Sequence, residues 1–245
     1  MVKLGIIQTK SYSSNSSGIK SVSKLLERLG KNNVDNVCLP EQWLKDNRIS
    51  NIEKEFSGFK KIAKNYNMTI IPGAFYERRQ NRFAITAPII GPSGEIIGRQ
   101  DKIHPFDYEH NLVNPGRKTN LFKTKCKFGV VVCYDMVFPK VVNSLVRKGA
   151  EVILSPSRIV KRGILPWHLY VQTRSLENRI PILAANVENH RFGGNSIIVD
   201  LKENNGVMIP KITKLKGEKS LSKIFTLSKY TKSRKERFAD DRKFV

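Results

Sequence analysis

Short apolar runs alternate with longer amphipathic ones along almost the whole chain, and this alternation limits the folds open to it. Residues 2–9 and 34–39 read as strands, and residues 19–29 between them carry apolar side chains at the three- and four-residue spacing of a helix. Residues 52–66 repeat the helical spacing. Residues 69–75 and 83–90 read as strands, and Pro92-Ser93-Gly94 turns the chain into a further strand over 95–99. The second half continues with a strand at 128–132, a helix at 137–148, a strand at 152–154, a helix from Pro166-Trp167 to Arg179, and strands at 181–186 and 196–200. Such alternation defines an α/β fold. A chain of 245 residues can bury a sizeable core, and the expectation is one domain over 1–245.

Three places where an apolar segment gives way to polar residues also carry a reactive side chain: LPEQ around Glu41, RQDKIHPF around Lys102 and VVVCYD around Cys133. Alone, each has a plain reading. Cys133 would be a buried strand cysteine, Lys102 one of many solvated lysines, and Glu41 a helix-start carboxylate. Together they supply a thiol, an ammonium and a carboxylate, the set that covalent acyl transfer needs. A free thiol is only a few per cent thiolate at neutral pH, so Cys133 needs a base, and Glu41 can take its proton if burial or like charge raises the carboxylate's own pKa. Lys102 can place positive charge beside the thiolate and donate to the oxyanion of a tetrahedral intermediate.

In this order and in these contexts the three residues resemble the nitrilase, or carbon-nitrogen hydrolase, superfamily, with the likeness running from residue 2 to about residue 243. The resemblance implies an α-β-β-α sandwich. It also implies a cysteine that attacks an amide or nitrile carbon, departure of ammonia or an amine, and hydrolysis of the thioester. A second glutamate shortly after the lysine positions the reacting groups in the family; KIHPFDYE puts Glu109 there, and Asn114, Pro115 and Gly116 continue the match. Trp167, Arg174, Glu177 and Asn178 match a family pattern on one helix and are expected to be structural, with Arg174 and Glu177 close enough in sequence to pair. Gly194 and Ser196 resemble the family's Gly-x-Ser strand start. The expected substrate is a small linear carboxamide. Nitrile hydrolysis, N-acyl transfer through the same intermediate, and a catalytically weak scaffold member are the alternatives.

Departures from the family pattern bear on the substrate. Many members have Arg-Phe-Pro-Glu after Cys-Tyr-Asp, whereas this chain has Val137-Phe138-Pro139-Lys140, and Ile85 stands where asparagine is common. Val137 in particular removes a fork-shaped cation close to the nucleophile.

The formal net charge is +23, which would suit a nucleic acid, an anionic surface or an acidic substrate. No nucleic-acid motif accompanies it, and no specific nucleic-acid partner is expected. The charge is spread out, although residues 211–245 hold twelve basic against four acidic side chains. Leu221, Ile224, Phe225 and Leu227 give that segment an apolar core, so it reads as an ordered extension, a strand plus a tail that contacts a partner subunit in the family. A homodimer or larger homo-oligomer is therefore expected. Cys38, Cys126 and Cys133 are irregularly spaced and odd in number, and the four histidines form no helical ligand pair. No disulfide framework, metal or cofactor is expected. With no signal-peptide pattern or membrane span, the expectation is a cytoplasmic enzyme without a membrane partner.

Overall fold

The computed structural model describes residues 1–241 and contains two β-sheets flanked by helices. One sheet is formed by β1 (Val2–Gln8), β2 (Asn36–Cys38), β3 (Arg48–Ile49), β4 (Thr69–Ile71), β5 (Phe75–Arg79), β6 (Arg82–Ile90) and β7 (Ile96–Asp101), together with a late strand, Lys219–Phe225. The other is formed by β8 (Leu121–Lys123), β9 (Lys127–Val130), β10 (Val152–Pro156), β11 (Ile182–Ala185), β12 (Ile197–Asn204) and β13 (Val207–Lys214). The late strand is therefore β14. It runs antiparallel to β1 along its whole length, with Val2 opposite Phe225 and Gln8 opposite Lys219.

The period-two alternation of the strands dictates the layering. On β1, Leu4 and Ile6 point into a core shared with Phe128 and Val130 of β9, Leu154 of β10 and Leu183 of β11, so the two sheets pack face to face. Ile7 points the other way, into a second core closed by α1 (Asn15–Lys31) and by α2 (Ile52–Glu55) and α3 (Ser57–Tyr66). Val131, Ile153 and Ile182 face a third core under α4 (Pro139–Arg147) and α5 (Ile164–Asn178). Two buried sheet faces and two helical layers make the expected α-β-β-α sandwich. Ser14 caps α1 by accepting from the Ser17 N–H, and Pro139 opens α4, where its missing N–H costs nothing.

Several element boundaries differ from those expected. The run at 69–75 is two strands, because Pro72 removes a ladder donor and Gly73 takes a φ of +121°. A Cβ at Gly73 would lie 2.2 Å from the Pro40 carbonyl oxygen, so only glycine lets this segment pass so close to the loop bearing Glu41. The run at 52–66 is two helices that meet at Phe56. The basic carboxy-terminal segment supplies the end of β13, all of β14 and a final helix, α6 (Thr231–Ala239); residues 242–245 lie outside the described residues. Ile224 is 58% exposed rather than part of an apolar core, because alternation along β14 turns it away from Leu221 and Phe225. No helix among the described residues is long and apolar enough to cross a membrane.

Candidate active site

Strand ends deliver the reactive groups. The segment after β2 carries Glu41, whose N–H donates to the Ser157 carbonyl at 3.1 Å while that of Gln42 donates to Ala74 at 2.9 Å. Lys102 directly follows β7; its N–H donates to the Ile85 carbonyl at 2.8 Å and its own carbonyl accepts from Gly116 at 2.7 Å. Cys133 follows the apolar run at 128–132, of which only the part up to Val130 belongs to β9. At Cys133 the backbone adopts a φ of +48°, uncommon for a residue with a Cβ, and opens a short 3-10 turn over Cys133–Val137. Strained backbone at a candidate nucleophile is the kind of feature that marks functional sites.

Glu41, Lys102, Glu109 and Cys133 meet in one cavity of about 310 Å³. Lys102 Nζ donates to Glu41 Oε1 at 2.9 Å and to Glu109 Oε2 at 2.8 Å, and all three side chains are almost fully buried. Glu109 is aimed by its own loop: its Oε2 also accepts the Phe106 N–H at 2.7 Å. Burial, and then the Glu41 charge, raise the Glu109 pKa against the pull of Lys102. Burial alone would lower the Lys102 pKa, but attraction from Glu41, Cys133 and Glu109 outweighs it and holds the ammonium above its ordinary value. For Cys133, burial and the Glu41 charge push the pKa well above its ordinary value, outweighing Lys102 and the Arg158 main-chain N–H that faces the sulfur.

Sequence reasoning missed the residues that frame this set. Asp135 accepts from the main-chain N–H of Ile103 at 3.0 Å and of His104 at 2.7 Å, and lies 2.8 Å from His104 Nδ1. His104 stacks on Phe138 with centroids 3.6 Å apart. These contacts tie the segment after Lys102 to the turn after Cys133, and the shared offset of two from each reactive residue was the only hint. Arg158, Arg191 and Phe192 also line the cavity, as does Val137. Of the residues expected to be structural, Trp167 is a buried residue of α5 yet lines the cavity as well, while Arg174 pairs with Glu177 at 3.0 Å and donates to the carbonyls of Met136 and Val137. Lys140 lies elsewhere, on an open depression of about 620 Å³ beside Phe238 that holds none of the four reactive groups. Ile85 is buried between the sheets. Gly194, at a φ of +57°, brings backbone against Gln8 and Glu188, and Ser196 donates from its main-chain N–H and its hydroxyl to Gln8 Oε1. No cluster of metal-ligating side chains occurs among the described residues.

Two sheets under helical layers, with a thiol, an ammonium and two carboxylates at the strand ends, are the architecture of a nitrilase-type protein. The chain belongs to the carbon-nitrogen hydrolase family, whose pattern it matches over residues 3–207. It is 27% identical over 233 residues to omega-amidase NIT3 of Saccharomyces cerevisiae, a match covering 81% of this chain and 80% of the yeast protein. Its fold is similar to that of a carbon-nitrogen hydrolase from Helicobacter pylori G27, with a TM-score of 0.85, 22% identity, and coverage of 98% and 95% of the two chains. It is also similar to a Glu-to-Gln mutant of the amidase from Nesterenkonia sp. AN1, with a TM-score of 0.77, 17% identity, and coverage of 97% and 95%; that mutant shows covalent addition of the acetamide moiety of fluoroacetamide at the active site cysteine.

Proposed function

We propose that residues 1–245 form one carbon-nitrogen hydrolase domain that hydrolyses a small linear carboxamide through an acyl-enzyme on Cys133. The observation that carries this reading is the lysine bridge: Lys102 Nζ lies 2.9 Å from Glu41 and 2.8 Å from Glu109 inside the cavity that holds the thiol. The omega-amidase and amidase relatives favour an amide over a nitrile.

Glu41 takes the thiol proton as the Cys133 sulfur attacks the amide carbon; a base is needed there because burial, and then the Glu41 charge, raise the thiol's pKa. The oxyanion that forms receives the remaining N–H of Lys102, whose other two are held by Glu41 and Glu109. Glu41 then returns the proton to the departing nitrogen, the C–N bond breaks, and ammonia leaves a thioester on Cys133. In the second half, Glu41 takes a proton from water as the water oxygen attacks the thioester carbon. The carboxylic acid is released and the sulfur recovers its proton. Glu109 holds Lys102 from the second side at 2.8 Å and so fixes where the ammonium points.

The direct test is ammonia release from short amides, with nitriles in parallel, by the wild type and by Cys133→Ala. Release from amides by the wild type alone supports the proposal, and release from nitriles alone overturns it. Cytoplasmic residence suits three unpaired cysteines, all buried. Self-association is favoured by Leu165 and Leu169, 70% and 56% exposed one turn apart on α5. Light scattering should return at least twice the 27.9 kDa chain mass, and a monomer at micromolar concentration would exclude a stable dimer.

A further inference from the structure

The hairpin that joins β12 to β13 carries the one Asn-Gly pair of the sequence, Asn205-Gly206. Asn204 stands opposite Val207 across the ladder, so these two residues are the whole loop. Their φ angles of +48° and +80° are those of a type I′ turn, which suits the twist of a hairpin and which asparagine and glycine reach at least cost. The turn explains why the pair is there, but nothing shields it. Residues 202–207 are all exposed, and a Cβ built on Gly206 would meet nothing within 4 Å.

An asparagine followed by a small residue can react with its own main chain, because the next nitrogen can reach the side-chain carbon when no bulk stands in the way; glycine gives the freest approach. Three other asparagines precede a small residue, in each case serine, and each is held. Asn15 accepts the Asp46 N–H and donates to the Asp46 carbonyl and to Glu55. Asn143, inside α4, accepts from Arg147 and donates to Asn178. After Asn195, the Ser196 N–H is committed to Gln8 at 2.8 Å, and the Asn195 amide donates to the Gly193 carbonyl. Asn205 has no such tether among the described residues, and the Gly206 N–H lies beyond the last ladder pair.

We infer that Asn205 is a self-modifying site: in the folded protein the Gly206 nitrogen attacks Asn205 Cγ, and the asparagine is converted to isoaspartate and aspartate. The new N–Cγ bond forms, the bond from Cγ to the amide nitrogen breaks, and ammonia leaves carrying the proton of the Gly206 N–H. A five-membered succinimide remains. Water then opens it at one of its two carbonyls, giving isoaspartate when the main-chain carbonyl is attacked and aspartate when Cγ is. The anion that Gly206 becomes on losing its proton is favoured by the field of a chain of net charge +23. Aspartate preserves the turn, since Asp-Gly also suits type I′. Isoaspartate routes the main chain through Cγ and lengthens a loop whose length fixes the register, so Asn204 and Val207 no longer pair. The edge strand β13 has β12 as its one neighbour, and conversion therefore loosens β13.

The test incubates the full chain and Cys133→Ala in warm, mildly alkaline buffer, maps peptides by mass, and counts isoaspartate with an isoaspartyl methyltransferase. The mass gain of an amide-to-acid exchange should appear on the Asn205 peptide ahead of those with Asn15, Asn143 and Asn195. It should be absent from Asn205→Gln, where a six-membered ring would have to close. Its rate should be the same in Cys133→Ala, and within about 10-fold of the rate in urea, because opening an unpacked hairpin tip takes little free energy. A folded chain that keeps Asn205 while the urea-unfolded chain loses it overturns the inference, since the turn then holds Cγ out of reach. Conversion that stops in Cys133→Ala also overturns it, because the reaction would belong to the active site. Amide hydrogen exchange reads the consequence: residues 207–214 should lose protection in the isoaspartate fraction and keep it in Asn205→Asp, and equal protection in the two overturns the loosening of β13.

Discussion

Lys102 holds two carboxylates on one ammonium, and this makes it the residue on which both stability and chemistry turn. Lys102→Met would leave Glu41 and Glu109 facing each other in a buried cavity without a counter-charge. The expected cost is about 3–5 kcal/mol of unfolding free energy, as for other broken buried ion pairs, alongside loss of turnover. Urea unfolding at neutral pH measures it, and a variant as stable as the wild type would show that the bridge does not hold these acids in place. Cys133 gives a second residue-level expectation with a definite sign. Its thiol is raised well above the ordinary value by burial and Glu41, so alkylation by iodoacetamide in the free protein should keep accelerating as pH rises past 9. A rate that levels off near pH 7 would instead mean a thiolate already paired with Lys102.

At the scale of elements, β14 and the turn that follows it meet a buried carboxylate of the second sheet. Asp200 of β12 lies 2.7 Å from Lys223 and 2.8 Å from Lys229, and accepts from the Tyr230 hydroxyl. Burial opposes ionisation of Asp200, but the hydrogen bonds from Lys223, Lys229 and Tyr230 outweigh it and lower its pKa to about 2, below the ordinary 3.8. A carboxylate with a depressed folded pKa stabilises the protein above its unfolded value, and that contribution is lost as pH falls from about 4 to 2. Asp200→Asn should therefore cost about 1–2 kcal/mol at pH 7, trimmed by the exposure of Lys229, and much less near pH 2. Equal effects at both pH values would rule out the charge as the cause.

The same scale separates what was legible in the sequence from what was not. The main strands and the helices α1, α4 and α5 follow from periodicity, because each buries one face or both. Element ends set by backbone strain do not. The break between β4 and β5 depends on Gly73 passing the Pro40 carbonyl, and the turn that opens at Cys133 depends on a φ of +48° there. The two-residue β3 is too short for any periodicity to show. Glu41, Lys102, Cys133 and Glu109 were each legible because an apolar run ends beside them or because of resemblance, and the cavity brings all four together. Arg158 was not, since nothing in Ser157-Arg158-Ile159 reveals that its guanidinium lies against Phe192.

At the scale of the whole molecule, the two sheets converge their strand ends on one cavity, so residues as far apart as 41, 109, 133 and 158 share it. The net charge of +23 says nothing about this fold, but such a field raises the local concentration of anions around the molecule. The central claim is that this assembly hydrolyses amides through Cys133. The most direct measurement is the intact mass of the protein quenched during turnover of a short amide, wild type against Cys133→Ala, with ammonia quantified in the same samples. The account predicts ammonia and an added acyl mass in the wild type and neither in Cys133→Ala; ammonia released equally by a folded Cys133→Ala would contradict it.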